Sequence, residues 1–295
     1  MRNATILGFA ESRNLATELA ALLSLASAEI EVHRFPDGES RVRVPESLPE
    51  HVIICLTLDH PNEKLIELLL ASSAARENGA INLTLVAPYL CYMRQDKAFH
   101  AGEAVSQQSI GALLGNAFDS VITVDPHLHR IERLEQAVSC SQAISLTATQ
   151  PIAEYIAQRF ERPLLIGPDA ESLQWVSSIA ELQGFDFMIA SKERLGDRNV
   201  RICLPDHIAV AGRDVVIVDD MASTGRTMVA AAESVLAGSP ASVSLIVTHA
   251  LFAGDAEERI RASGIDHLWS TDSIAHSTNA ISLVPLLAEA IRRCL

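Results

Sequence analysis

The stretch Val215-Val216-Ile217-Val218-Asp219-Asp220-Met221-Ala222-Ser223-Thr224-Gly225-Arg226-Thr227 reads as a strand, an acidic pair, a small-residue loop and the approach to a helix. Four consecutive β-branched residues suit a strand buried on both faces, where polar alternation is not needed. Two carboxylates stand where that strand is expected to end, and Met228 to Leu236 is helix-favouring. A loop that opens a helix offers backbone N–H groups and hydroxyls to one phosphate, assisted by the helix dipole. The two Asp side chains suit hydroxyl groups or a metal ion beside that phosphate, which together describe a sugar phosphate. An ordinary strand-to-helix turn with Ser or Thr as N-cap uses the same letters. The Asp-Asp pair directly after a Val/Ile strand favours the phosphate site.

The 295 residues exceed what one core usually organises, so two domains are expected, with a boundary at 146/147. Apolar residues make up 48% and aromatics 4%, a composition of Ala, Leu, Ile and Val typical of α/β chains. The net charge of −14 speaks against an extended nucleic-acid surface. Cys55, Cys91, Cys140, Cys203 and Cys294 form no C-x-x-C and read as free thiols of a reducing cytoplasm. Met1 to Gly8 is strand-like and lacks the pattern of a signal peptide, and no apolar run reaches membrane-spanning length.

Along the chain, strands are expected at Thr5–Phe9, Ile30–Phe35, Arg41–Val44, His51–Leu56, Ile81–Ala87, Ser120–Val124, Pro163–Ile166, Phe185–Ala190, Val243–His249 and His267–Ser270. Helices are expected at Ser12–Leu25, Asn62–Asn78, Ser106–Phe118, Ile152–Phe160, Glu171–Gln183, Ala256–Ser263 and Ile281–Cys294. This alternation predicts α/β architecture with mainly parallel sheets flanked by helices, plausibly in two similar halves. Polar clusters recur after strands, where open α/β sheets bind ligands.

Each cluster has an ordinary reading and a chemical one. Phe35-Pro36-Asp37-Gly38-Glu39 is a hairpin turn, or an aromatic face with two carboxylates for a purine and its amine. Arg94-Gln95-Asp96-Lys97 is a solvated charge cluster, or a polyphosphate contact. His127, with Asp125 and His129 near it, is structural, or a Mg²⁺ position reached directly or through water. Asp169 offers a carboxylate for metal. Lys192 and Arg194 lie in the polar stretch Ser191–Asn199, an exposed hairpin or a loop whose cations close over a reacting phosphate chain.

In order, F-P-D-G-E, P-Y-x-x-Y-x-R-Q-D-K, V-D-P-H, G-P-D, S-K-E-R with R-N-V, V-D-D-M-A-S-T-G-R-T and the closing S-L-V-P-L-L-A-E-A-I run through the whole chain. This set resembles ribose-phosphate pyrophosphokinase, the phosphoribosyl pyrophosphate synthase family. Type I phosphoribosyltransferases share only the loop near Asp219. The resemblance implies two type I phosphoribosyltransferase-like domains, 1–146 on the ATP side and 147–295 carrying the ribose 5-phosphate loop. It implies transfer of the diphosphoryl group of ATP to the C1 hydroxyl of ribose 5-phosphate with Mg²⁺, giving AMP. Phe35, Asp37 and Glu39 would then hold adenine, shared between subunits of a dimer-based homo-oligomer, and Arg94, Gln95 and Asp96 would bind ATP. His127 and Asp169 would position the metal, and Lys192 and Arg194 would stabilise the transition state. Asp219 and Asp220 would take the ribose hydroxyls, and Ser223, Thr224, Gly225, Arg226 and Thr227 the 5-phosphate. A cytoplasmic enzyme with no nucleic-acid or membrane partner is expected.

The chain leaves the family pattern in four places. S-P-D-x-G-G is here Gly167-Pro168-Asp169-Ala170-Glu171-Ser172, so two glycines are replaced by side chains. Arg226 replaces a small residue, and K-R-R reads Lys192-Glu193-Arg194. Phe99 to Ser106 lacks the basic R-x-R-x-P-I-S segment and resembles the G-E-P-I-S of archaeal-type enzymes, which speaks against ADP inhibition at a site of the basic kind. Three rivals are weighed: a catalytically silent regulatory homologue, which the loop pair Lys192 and Arg194 argues against; a phosphoribosyltransferase, which should lack the segments at Phe35–Glu39 and Arg94–Lys97; and a phosphoribosyl-sensing transcription regulator, which would want a DNA-binding helical unit and a basic face that this acidic sequence does not show.

Overall fold

The structure, a computed structural model, describes residues 3–128, 130–194, 200–205 and 210–295. The elements run β1 (Ala4–Gly8), α1 (Arg13–Leu23), β2 (Ala26–Glu29), β3 (Glu31–Arg34), β4 (Ser40–Arg43), β5 (His51–Cys55), α2 (Pro61–Glu77), β6 (Asn82–Val86), α3 (Ser106–Ala117), β7 (Ser120–Val124) and β8 (Gln142–Leu146). They continue with α4 (Thr149–Ala157), β9 (Leu164–Gly167), α5 (Leu173–Gln183), β10 (Asp186–Ile189), β11 (Ser191–Arg194), β12 (Val200–Cys203), β13 (Asp214–Ala222), α6 (Arg226–Leu236), β14 (Ser242–Ala250), α7 (Ala256–Ala262), β15 (His267–Thr271), β16 (Asn279–Ile281) and α8 (Val284–Cys294). Among the described residues no helix is long and apolar enough to cross a membrane.

The chain packs as two units, one reaching to Leu146 and including Val284–Leu295, the other Thr147–Leu283. Each carries a six-stranded sheet, ordered β2-β1-β5-β6-β7-β8 in the first and β10-β9-β13-β14-β15-β16 in the second. All ladders in both are parallel. Each unit also has one antiparallel hairpin, β3–β4 and β11–β12. The two units therefore repeat one recipe. The likeness extends to single residues: Ala10-Glu11-Ser12 after β1 and Ala170-Glu171-Ser172 after β9 form the same short 3-10 turn.

Parallel strands need crossovers, and helices on both faces leave the central strands dry. Hence β1 and β7 are buried at every position, as is Val215–Val218 of β13. The first core gathers Leu7, Ile54, Leu68 and Leu85, and the second Leu164, Ile217, Val235 and Leu245. The closing helix α8, last in the chain, packs on the first unit against α1, β7 and β8. Its buried face is Val284, Leu287, Ala288, Ala290 and Ile291.

Several boundaries differ from the sequence reading. β13 does not stop at Val218 but continues through both Asp residues to Ala222, because β14 extends alongside it to pair Met221 with His249 and Ala222 with Ala250. α6 begins at Arg226, two residues before the expected start. Lys192 and Arg194 lie in strand β11, opposite Ile202 and Val200, rather than in a loop. β2, β8 and β16 have no counterpart in the expected strands.

Candidate active site

In the first unit the polar segments leave the carboxyl ends of parallel strands. The turn Phe35–Glu39 stands apart, at the tip of the β3–β4 hairpin. Phe35 N–H donates to Glu39 O at 2.7 Å and Gly38 N–H to Phe35 O at 2.9 Å. The Asp37 carboxylate accepts from Glu39 N–H at 3.2 Å, an Asx turn. Gly38 has φ +93° in open space, the conformation that suits glycine there. All five residues are exposed, with Phe35 at 40%, edge-on to His33 at 4.8 Å between centroids.

Arg94 is exposed, whereas its neighbours hold the segment together. Gln95 accepts from Ser106 Oγ at 2.7 Å at the start of α3, and its carbonyl accepts from Gln107 N–H at 3.2 Å. The Asp96 side chain is 1% exposed and its Oδ1 pairs with Arg130. Its Oδ2 is buried without a hydrogen-bond partner, leaving one acceptor to spare. Glu103 closes the following loop through the Phe99 and His100 N–H groups and the His100 ring, which hold its carboxyl below the ordinary range. After β7 comes Asp125, buried and at φ +37°, a left-handed conformation costly for a residue with a side chain. Half-buried His127 follows it. His129 lies outside the described residues, as do Arg198 and Asn199 of the R-N-V motif.

In the second unit, Asp169 follows β9 and its carboxylate caps the 3-10 turn, accepting from Glu171 N–H at 3.1 Å. Ser172 is fully buried and donates to Asp169 O at 2.6 Å, while Glu171 points to solvent. The two replacements of glycine thus differ: one side chain is absorbed under the turn, the other adds a carboxylate at its rim. On the adjacent strand Asp220 is 3% exposed and its N–H meets Asp219 Oδ1 at 3.1 Å. Burial pushes the Asp219 carboxyl well above the ordinary range, and the charges of Asp220, Asp169 and Glu171 push it further. A strand carrying this much negative charge suits hydroxyl donors or a cation.

The loop beyond is fixed by its neighbours. Phe252 N–H donates to Ala222 O at 2.9 Å, Ala253 N–H to Ser223 O at 2.9 Å, and Arg259 to Thr224 O at 3.0 Å. Gly225 sits at φ +71°, and a β-carbon there would meet Ile260 Cδ1 at 3.0 Å and Ala256 O at 3.2 Å. It is the N-cap of α6 and, having no side chain, supplies no side-chain hydrogen bond to the first turn. Exposed Arg226 begins that turn. The corresponding place in the first unit, between β5 and α2, is filled from within. Lys64 donates to Thr57 O at 3.0 Å and Asp59 Oδ1 at 2.6 Å, with Glu11 at 3.7 Å. The second unit's loop has the small residues Ser223, Thr224, Gly225 and Thr227 that suit a phosphate, where the first unit has His60 and Pro61 at the start of α2.

Sequence reasoning missed several of these groups. Lys64, Arg130 and Glu67 carried no motif. Neither did the buried network of His249, Ser273 and Thr271, in which Ser273 and Thr271 both donate to Thr248 O. A Glu between Leu65 and Leu68, on the helix face that must be buried, was the one available signal.

Two parallel sheets, with an acidic strand leading through a small-residue loop into a helix, define an α/β protein of the phosphoribosyltransferase type. Residues 4–117 match the N-terminal domain of ribose phosphate pyrophosphokinase, and residues 142–277 the phosphoribosyl transferase domain. A ribose-phosphate pyrophosphokinase of Methanopyrus kandleri is 35% identical over 97% of this chain and 98% of its own. One from Saccharolobus solfataricus is 35% identical over 91% and 92%. The crystal structure of phosphoribosylpyrophosphate synthetase from Mycobacterium smegmatis has the same fold, with a TM-score of 0.86 at 22% identity and 99% coverage of both chains. The chain belongs to the ribose-phosphate pyrophosphokinase family.

Proposed function

We propose that this protein transfers the β,γ-diphosphoryl group of ATP to the C1 hydroxyl of ribose 5-phosphate, releasing AMP and phosphoribosyl pyrophosphate. The observation that carries the reading is the Asp219–Thr227 segment, an acidic pair and a small-residue loop whose glycine is the N-cap of α6, in a chain of this family. The first-turn N–H groups of α6, the Ser223, Thr224 and Thr227 hydroxyls and Arg226 take the 5-phosphate. Asp219 and Asp220 accept from the ribose hydroxyls. Phe35 stacks on adenine, with Asp37 and Glu39 as acceptors for its amine, and the arginine of Arg94-Gln95-Asp96 meets the phosphates. Lys192 and Arg194 neutralise the charge that spreads over the transferring group. No protein nucleophile is needed, since transfer of this kind rests on positioning and charge. The Phe35–Glu39 turn of an exposed hairpin is well placed to serve a neighbouring copy in a homo-oligomer.

Mg²⁺ fits the donor set. Among the described residues no three His, Cys, Asp or Glu side chains form a ready cage. Mg²⁺ characteristically keeps waters and binds through one or two carboxylates plus substrate phosphates. Asp169, with His127 directly or through water, would hold it, and its charge would offset that of the diphosphate.

Purified protein given Mg²⁺, ATP and ribose 5-phosphate is expected to form AMP and phosphoribosyl pyrophosphate in equal amounts. Well-folded protein that forms no AMP would overturn the reading and favour a silent homologue.

A further inference from the structure

α2 has one residue out of place. Its buried face is Leu65, Leu68, Ala71, Ser72 and Ala75, and among them sits Glu67, 2% exposed. A carboxylate is rarely buried unless it is fully paired. Glu67 is paired in one direction only, toward the neck of the β3–β4 hairpin. Oε1 accepts from Arg34 Nε at 2.7 Å and from Ser40 Oγ at 3.0 Å, and Oε2 from Arg34 Nη2 at 3.2 Å. Arg34 also reaches Glu63, one turn earlier, at 3.2 Å. Arg34 ends β3, Ser40 begins β4, and the two face each other across the ladder. They are the last residues on either side of Phe35–Glu39.

One carboxylate therefore grips both strands immediately below the turn. Above that grip the turn is exposed along its whole length and is held by its own hydrogen bonds and by the edge contact of Phe35 with His33. Three residues before Glu67, on the same side of α2, Lys64 ties the helix to Thr57 and Asp59 after β5 and approaches Glu11 after β1. α2 is thus fastened to the strand-end loops at one point and to the hairpin at the next. A ring that stacks on a base must be held at a fixed height and tilt, since misplacement of a binding group lowers its contribution steeply.

We propose that Glu67 is a positioning residue for the nucleotide base: it sets the orientation of the Phe35–Glu39 turn through Arg34 and Ser40 and touches neither substrate. This rests on the reading of that turn as the adenine contact. Glu67→Leu keeps the helix apolar face and removes every acceptor. It is expected to raise KM for ATP about tenfold, with kcat within about twofold and KM for ribose 5-phosphate unchanged. Glu67→Gln, which retains one acceptor, is expected to fall between the parent and Glu67→Leu. Because the effect passes through the turn, Phe35→Ala combined with Glu67→Leu should be no worse for ATP than Phe35→Ala alone. Additive losses in the double variant, or a rise in KM for both substrates, would show a general structural role and overturn the proposal. An unchanged KM for ATP in Phe35→Ala would sink the adenine reading itself, whereas a changed one with Glu67→Leu silent would sink only the role of Glu67. If Glu67→Leu does not fold, Ser40→Ala decides: a two- to threefold rise in KM for ATP supports the grip, and no change overturns it.

Discussion

Two carboxylates, buried Glu67 and half-buried Asp219, behave in opposite ways, and the difference separates support from chemistry. Burial alone would raise the Glu67 carboxyl, but hydrogen bonds from Arg34 and Ser40 outweigh it and hold the group below its ordinary range. Asp219 is raised by burial with further carboxylates around it. The signs for stability follow. Glu67 contributes stability that is present above the unfolded carboxylate pKa and lost as pH falls through the lower folded value. Asp219 does the reverse: above about pH 4 the unfolded chain gives up this proton while the folded chain keeps it, so stability falls as pH rises until the raised folded value is passed. Asp219→Asn is therefore expected to melt together with the parent in acid and above it near neutrality, by roughly 2–4 °C for each kcal/mol relieved. The same variant should bind ribose 5-phosphate about 10–100-fold more weakly, the loss of hydrogen bonds to a charged acceptor being roughly 1.5–3 kcal/mol. Melting curves across pH, with binding measured by calorimetry, test both halves. A variant no more stable than the parent at any pH would remove Asp219 as a strained group. Lys192→Ala is expected to lower kcat by orders of magnitude while ribose 5-phosphate binding survives, and near-normal turnover would take Lys192 out of the mechanism. At this scale the sequence showed the acids of the Asp219 strand plainly, because an acidic pair after four β-branched residues is unusual. Glu67 showed only as an acid among the apolar residues of a helix face, and its role was hidden because its partners are 33 and 27 residues away.

Elements are positioned by what their ends can tolerate. Gly225 is the hinge of the phosphate loop: its left-handed backbone turns β13 into α6, and its missing side chain lets Ile260 and Ala256 close beneath it. A non-glycine residue held in that conformation costs about 1–2 kcal/mol before any clash is counted. Gly225→Ala is expected to lower the melting temperature by roughly 2–8 °C and to raise KM for ribose 5-phosphate about tenfold, because the first turn of α6 shifts. Unchanged KM with lowered stability would separate the hinge from the site. Pattern reading recovered the dry central strands, such as His51–Cys55 and Ser120–Val124, from apolar runs that reflect burial on both faces, and the exposed β4 from its alternation. It missed β2, Ala26–Glu29, because an exposed edge strand of Ala, Ser and Glu carries neither alternation nor β-branching. The overrun of β13 past Asp219 was equally hidden, since an Asp pair disfavours a strand locally and only pairing with β14 overrides it.

At the level of the whole chain, one strand order is used twice and put to different ends. In the first unit the β5–α2 connection is filled by Lys64 and its partners. In the second the same connection is a small-residue loop that enters α6 at Gly225. The repetition was only partly legible in the sequence, because the halves share a fold recipe and a few letters such as Ala-Glu-Ser rather than a periodic motif. Chain order misleads most at the end. α8 follows β16 of the second unit yet buries Val284, Leu287 and Ile291 in the first. At about 1.5–3 kcal/mol for each large apolar side chain, that face contributes roughly 5–9 kcal/mol, comparable with the roughly 5–15 kcal/mol by which a domain is stable. A chain ending at Leu283 should therefore lose the first unit and keep the second. Its melting curve is expected to show an early or absent transition for residues up to Leu146, detected by protease cuts there, while Thr147–Leu283 melts near its normal temperature. Adding the peptide Val284–Leu295 should restore protection to the first unit, because the face it covers is complete without it. Equal loss of both units on truncation would mean that α8 does not belong to the first unit's core.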